Sequence, residues 1–174
     1  MFDKGKHGAL LQAGMTAGPI CSDCHGAHTI QRASTPEWQN AVVGACGNCH
    51  DDFITSFRHT YHGKVATMGF GQVATCASCH GAHDVRPASD PQSRVSPENR
   101  LETCRNCHPR AGAQFVSWDP HPRPKDKERD PILYWTNIFM EVLLAGVFLF
   151  FGLHTVLWAY RSLKIRYFGG GKGQ

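Results

Sequence analysis

The residues of this 174-residue chain best placed to do chemistry are its cysteines and histidines. All eight cysteines fall in four copies of one pattern: Cys21-Ser22-Asp23-Cys24-His25, Cys46-Gly47-Asn48-Cys49-His50, Cys76-Ala77-Ser78-Cys79-His80 and Cys104-Arg105-Asn106-Cys107-His108. C-x-x-C-H is the attachment signature of c-type haem. Two thiols at that spacing can each add to one vinyl group of the same porphyrin, and the adjacent histidine then falls under the iron. Zinc ribbons also use paired C-x-x-C hairpins, and small secreted domains use disulfide frameworks. Neither chemistry requires a histidine after every second cysteine. The expectation is therefore four covalently attached haems. Cys21, Cys24, Cys46, Cys49, Cys76, Cys79, Cys104 and Cys107 would anchor them, with His25, His50, His80 and His108 as proximal iron ligands.

Each iron has a second axial position, and seven histidines remain: His7, His28, His59, His62, His83, His121 and His154. An internal repeat organises them. Residues 7–34 (HGALLQAGMTAGPICSDCHGAHTIQRAS) and 62–89 (HGKVATMGFGQVATCASCHGAHDVRPAS) align without a gap, His7 on His62 and His28 on His83. Each copy places His-Gly at the same distance before its first cysteine, then C-x-x-C-H-G-A-H. A second motif follows, at Cys46 in the first copy and at Cys104 in the second. Such self-similarity marks tandem modules, here two dihaem repeats over 7–61 and 62–116. The repeats offer four distal candidates for four irons: His7 and His28, His62 and His83. His28 follows His25 too closely to reach the opposite face of the same haem. His28, and likewise His83, would ligate a neighbouring haem and lock the modules together. In the alternative, His62 serves the second haem of the first module. His121, in Trp118-Asp119-Pro120-His121, then plays that part for the fourth haem, and His7 is spare or serves another subunit. His59 is left to solvent or packing. Met15 and Met68 do not match each other in the repeat and read as packing residues. Mostly bis-histidine ligation implies lower potentials than methionine/histidine ligation.

The elements that must position these groups are few. Residues 1–130 are polar and rich in Gly, Pro and His, and their aliphatic residues show no long helical or strand periodicity. A core of side chains alone would be thin at this size, so haem must supply the buried volume. The expected fold is mostly α with much irregular coil. It comprises a tetrahaem domain over 1–116, a Pro-rich charged linker over 117–131, a transmembrane helix over 132–168 and a flexible tail over 169–174. From Ile132 to Tyr160 the only carboxylate is Glu141 and the only histidine His154. About 20 apolar residues span a bilayer. Trp135 and Trp158, with Tyr134 and Tyr160, lie about 35 Å apart along a helix and read as two aromatic belts. Arg161, Lys164 and Arg166 follow and would be cytoplasmic. Lys125, Lys127 and Arg129 oppose that signal, but haem attachment on the outer face of the inner membrane places the haem domain in the periplasm. Ionisable groups within a span suggest function. His154 reads equally as part of a quinone or b-haem site with a membrane partner and as a polar contact between helices, and Glu141 as such a contact. Residues 1–20 hold no apolar stretch of signal-peptide type. Export therefore implies a removed leader, a longer parent chain or a misplaced start.

The His-Gly-x12-C-x-x-C-H-G-A-H pattern, with its closely and regularly spaced motifs, resembles the bacterial multihaem cytochromes c, cytochrome c3-like and octahaem-type proteins among them. The resemblance covers residues 7–121. The segment PILYWTN…FFGLHTVLW is similar to the C-terminal anchor of multihaem subunits that accompany a membrane cytochrome b in respiratory complexes. Tetrahaem quinol dehydrogenases are similar in purpose, with their anchor at the other end. The resemblance implies an electron-transfer subunit rather than an enzyme. Its partners would be a quinone-reactive or cytochrome b-type membrane subunit and periplasmic cytochromes or iron-sulfur subunits, with no nucleic acid. Two other functions compete: a multihaem reductase of nitrogen or sulfur oxyanions, and a structural subunit wiring larger cytochromes together. The first requires an iron with an open sixth position, and spare histidines outnumber the irons.

Overall fold

The computed structural model describes residues 1–168; the tail read as 169–174 lies outside them. Two compact units divide at Pro122/Arg123. The described residues form helices and turns with no strand. In the first unit these are α1 (Lys6–Gln12), α2 (Cys21–His25), α3 (Pro36–Gly47), α4 (Asp51–His59), α5 (Tyr61–Thr67), α6 (Cys76–His80), α7 (Arg100–Arg105) and α8 (Ala113–Val116). The second unit holds α9 (Pro131–Phe168).

Short helices this close to their nucleation limit are held by caps and contacts rather than by length. Thr35 caps α3 by accepting from the Trp38 N–H at 3.3 Å, with Pro36 at the first helical position. Thr60 caps α5 by accepting from the Gly63 N–H at 3.1 Å. The same order of elements occurs twice. A short helix carrying His-Gly (α1, α5) is followed by a turn through a left-handed glycine (Gly14 φ 73°, Gly69 φ 84°), then by a single-turn motif helix (α2, α6). The His-Gly glycines have a packing reason. A Cβ on Gly8 would strike the Phe2 carbonyl, and one on Gly63 the Phe57 carbonyl. Each His-Gly helix is thus seated directly on the backbone of the turn before it.

The apolar core of the first unit is small: Val42, Val43, Ile54 and Ala111 are its buried hydrophobic residues. Buried polar residues outnumber them, with Ser56, Thr60, Thr75, Ser93 and Ser96 under the surface. Met15 and Met68, read as packing residues, are instead 50% and 72% exposed. Both lie past the ends of α1 and α5, beside the left-handed glycines.

The unit boundary falls inside the stretch read as a linker. Residues 117–122 belong with the first unit because His121 packs there, as described below. In the second unit Asp130 accepts the Arg123 N–H at 2.9 Å, and its carbonyl accepts from the Tyr134 N–H. Pro131 opens α9, where a missing N–H costs nothing. The helix presents Leu, Phe, Val and Trp on all sides; within its span over Pro131–Tyr167 an 18-residue window has a mean hydropathy of 2.1 and no share of it is buried in the protein. It is long and apolar enough to cross a membrane once. Glu141 accepts from the Asn137 side chain at 2.8 Å, one turn away on the same helix. Lys127 Nζ lies 5.3 Å from the Trp135 ring centroid.

Gly63→Ala should destabilise the first unit by about 1–3 kcal/mol, the usual cost of overpacking. A thermal unfolding midpoint unchanged from wild type would show that α5 is not seated on Phe57.

Candidate haem-binding site

The four motifs adopt two local structures. Motifs one and three begin a helix: Cys21–His25 is α2 and Cys76–His80 is α6. The residue before each second cysteine reaches back to cap the turn. Asp23 accepts the Ile20 N–H at 2.8 Å, and Ser78 accepts the Thr75 N–H at 3.1 Å. Motifs two and four end a helix. Cys46 and Cys104 sit in the last turns of α3 and α7, and the His50 and His108 N–H groups bond the Cys46 and Cys104 carbonyls at 3.0 and 2.9 Å. In both forms the cysteines at i and i+3 and the histidine at i+4 share one face of a turn, as helical spacing requires. After motifs one and three the chain leaves through Gly26 and Gly81, at φ 74° and 81°.

The histidines meet in pairs. His25 and His83 have ring centroids 5.9 Å apart, His50 and His7 6.2 Å, His80 and His121 6.2 Å, and His108 and His62 6.0 Å. Each pair joins one motif histidine to one histidine from elsewhere in the chain. Two imidazoles on opposite faces of one metal ion, each with a metal–nitrogen bond of about 2 Å, hold their centroids roughly 6 Å apart. The residues thus fit a group that supplies the equatorial ligands itself, as a porphyrin does. Among the described residues no three His, Cys, Asp or Glu side chains gather as a tetrahedral metal site needs.

Of the distal candidates read from sequence, His7, His62, His83 and His121 lie in these pairs. His28 is exposed, and none of the ring contacts at the four pairs includes it. His59 is also exposed. His62 lies against the second motif histidine of its own repeat, so the alternative that joined it to the first repeat does not describe the fold. His121 faces the third motif rather than the fourth.

Neighbours missed in the sequence hold these rings. His121 Nδ1 lies 2.9 Å from Ser56 Oγ, which donates to the Phe53 carbonyl at 2.9 Å. With Nδ1 so engaged, Nε2 is the nitrogen left for a metal, the usual role of an outer partner. Phe53 meets the edges of both His50 and His121, with centroids 6.2 and 5.4 Å away. Trp38 stacks on His25 at 5.3 Å, and Phe115 lies 4.9 Å from His108. Ser56, Phe53, Trp38 and Phe115 all lie outside the matched stretches 7–34 and 62–89, so the repeat carried no signal for them.

Consecutive motifs are neighbours. The Cys24 thiol is pushed up by burial and then by the nearby thiols of Cys46 and Cys49. Cys46 and Cys76 share a hydrogen bond that holds Cys46 down to about 7 and Cys76 up. Burial, then Cys104 and Cys107, push Cys79 up. The attachment cysteines therefore adjoin in the order one, two, three, four.

The profile of the Cytochrome c3 family matches residues 14–109, more than half of the chain. The chain belongs to the cytochrome c3 family. No curated protein and no solved structure matches it. Membership makes the matched region a multihaem electron-transfer domain built on c-type haem.

In this cytochrome c3 domain three imidazoles are biased toward the neutral form that a metal needs. Burial lowers His7, with His50 adding to it. Burial and then His108 lower His62. Burial, then His121 and His50, lower His80. Each lies below the ordinary 6.5 in the folded chain. The unfolded chain therefore takes up protons at these sites first as pH falls. Their contribution to stability is full above 6.5 and is lost as pH drops through the folded values. Because a metal needs these imidazoles neutral, low pH should favour their release from it, and the denaturation midpoint of the haem-loaded chain should fall as pH is lowered from about 7 to about 5. A midpoint that rose over that interval would contradict this assignment.

Proposed function

We propose that the chain is a tetrahaem electron-transfer subunit, anchored in the inner membrane by α9, that relays electrons between a quinone-reactive membrane partner and periplasmic carriers. The observation that carries this reading is the four imidazole pairs, all at 5.9 to 6.2 Å. The ligand assignments are His25/His83, His50/His7, His80/His121 and His108/His62, with the eight motif cysteines forming the thioethers. When bound, haem c supplies one-electron redox chemistry at its iron. The protein's residues do the rest. Two histidines would hold each iron, which would leave a substrate oxyanion no place on it and favours electron transfer over a reductase. His83 ties the second repeat to the first, making two dihaem modules one unit. Phe53 and the cysteine contacts keep successive sites adjacent, so that the four sites would form one continuous relay in chain order. All-histidine ligation sets low potentials.

The haem unit lies on the periplasmic side and Arg161, Lys164 and Arg166 on the cytoplasmic side, as haem attachment and the positive-inside rule require. A single apolar helix has no second helix with which to enclose a quinone. A cytochrome b-type partner therefore supplies that pocket, with His154 on the surface offered to it.

Electron paramagnetic resonance of the oxidised protein should show only low-spin haem. His62→Ala should convert one quarter of the haem to high spin. A high-spin haem in the wild type would sink the four-pair assignment. Ser56→Ala removes the partner of His121 Nδ1, and loss of such partners weakens metal affinity about 10–100-fold. One haem should gain high-spin character and a raised midpoint potential, while the other three keep theirs. Truncation before Pro131 should release the haem unit from membranes, and retention there would rule out α9 as the anchor.

A further inference from the structure

His28 is the one repeat-matched histidine that the four pairs leave unused, and the fold says where its iron would be. Its counterpart in the second repeat is His83. Both follow C-x-x-C-H-G-A, and both leave their motif helix through a left-handed glycine of nearly the same conformation, Gly26 at φ 74° and ψ 157° and Gly81 at φ 81° and ψ 171°. From that turn His83 does not serve its own module. It reaches back one module to His25.

The backbone contact that carries His83 there is also present. The Lys6 N–H donates to the Val85 carbonyl at 2.7 Å. A Cβ on Gly5 would lie 2.9 Å from the His83 carbonyl, so the segment is laid against the start of α1. Shifted by one repeat, His83 becomes His28 and Val85 becomes Ile30. The start of α1 becomes the start of an equivalent helix one module upstream. No such helix lies among the described residues, and Ile30 is 74% exposed where Val85 is half-buried. At the other end of the array the position is closed differently. Among the described residues no third module sends a histidine back to His80, and His121 takes that place. Among the described residues the place beside His80 is filled by His121 while the His28–Ile30 edge is bare, and repeat arrays cover the edges they would otherwise expose to solvent.

We infer that His28 is the distal ligand of a fifth haem c, carried by a haem module outside residues 1–174 that docks against the His28–Ile30 edge. A second copy of this chain does not qualify, because each of its four motif histidines already faces an imidazole. The partner is a C-x-x-C-H module whose iron lacks a second ligand of its own, on a preceding segment or a separate subunit. The inference rests on the four-pair reading above.

The test is a count of haem spin states by electron paramagnetic resonance in the complex extracted from native membranes with mild detergent. Wild type is compared with His28→Ala and with His59→Ala, an exposed histidine outside the matched stretches. His28→Ala should turn one haem per complex from low to high spin, and His59→Ala none. Denaturing mass spectrometry then locates that haem, because covalent haem stays with its polypeptide. A fifth haem on the polypeptide that contains residues 1–174 supports a preceding module; its presence on another polypeptide supports a partner subunit. Identical spectra for wild type and His28→Ala would overturn this inference and leave the four pairs standing. A high-spin haem already present in wild type would overturn both.

Discussion

Opposed imidazole pairs are the contacts around which the first unit is organised. Four buried aliphatic or small apolar side chains cannot offset the ordering of residues 1–122, since each fixed residue costs about 1–2 kcal/mol. The helices are too short to persist alone. What recurs throughout the unit is a histidine from one segment meeting a histidine from another, with a metal-sized space between them. Membership of a c-type haem family gives such a unit a large apolar surface and covalent tethers of its own. The protein's own side chains then need only shape the edges, which is why buried serines and threonines suffice where a haem-free domain would need leucines.

Local structure follows from that arrangement. The two forms of C-x-x-C-H, helix-starting and helix-ending, both put two sulfurs and an imidazole on one face, but they aim that face differently. The histidines of α1 and α5 answer the helix-ending motifs of their own repeats. The post-motif histidine His83 answers a helix-starting motif one repeat away. Intra-module and inter-module pairs thus come from different motif types, and the alternation makes a chain of sites rather than two separate couples. His-Gly is part of the same logic: the glycine lets the helix sit against the preceding backbone, and so places the histidine.

The second unit obeys other physics. Before Arg161, α9 is largely apolar on every side, and a helix of that kind is stable where its surroundings are apolar too. Of its ionisable residues, Glu141 is met by Asn137 within the helix, so its carboxylate already has a partner.

Much of the haem site was legible in the chain itself. C-x-x-C-H names its own chemistry, because thioether bonds and the proximal ligand depend on residues within one turn. The internal repeat, the polar haem region and the long apolar helix are likewise properties of order along the chain. The partner of each motif histidine was not legible. His7, His62 and His83 stood out by repetition, yet repetition alone allowed more than one pairing, and it pointed with equal force to His28. His121 lay outside the repeat, and so did Ser56, Trp38, Phe53 and Phe115. Which histidines meet is decided by which surfaces meet after the helices pack, and every pair, from His7 with His50 to His80 with His121, joins segments far apart in the chain. The sequence by itself determined the cofactor and its covalent attachment, because those are local bonds. Only the tertiary structure decided which histidines face each other, because that is long-range packing.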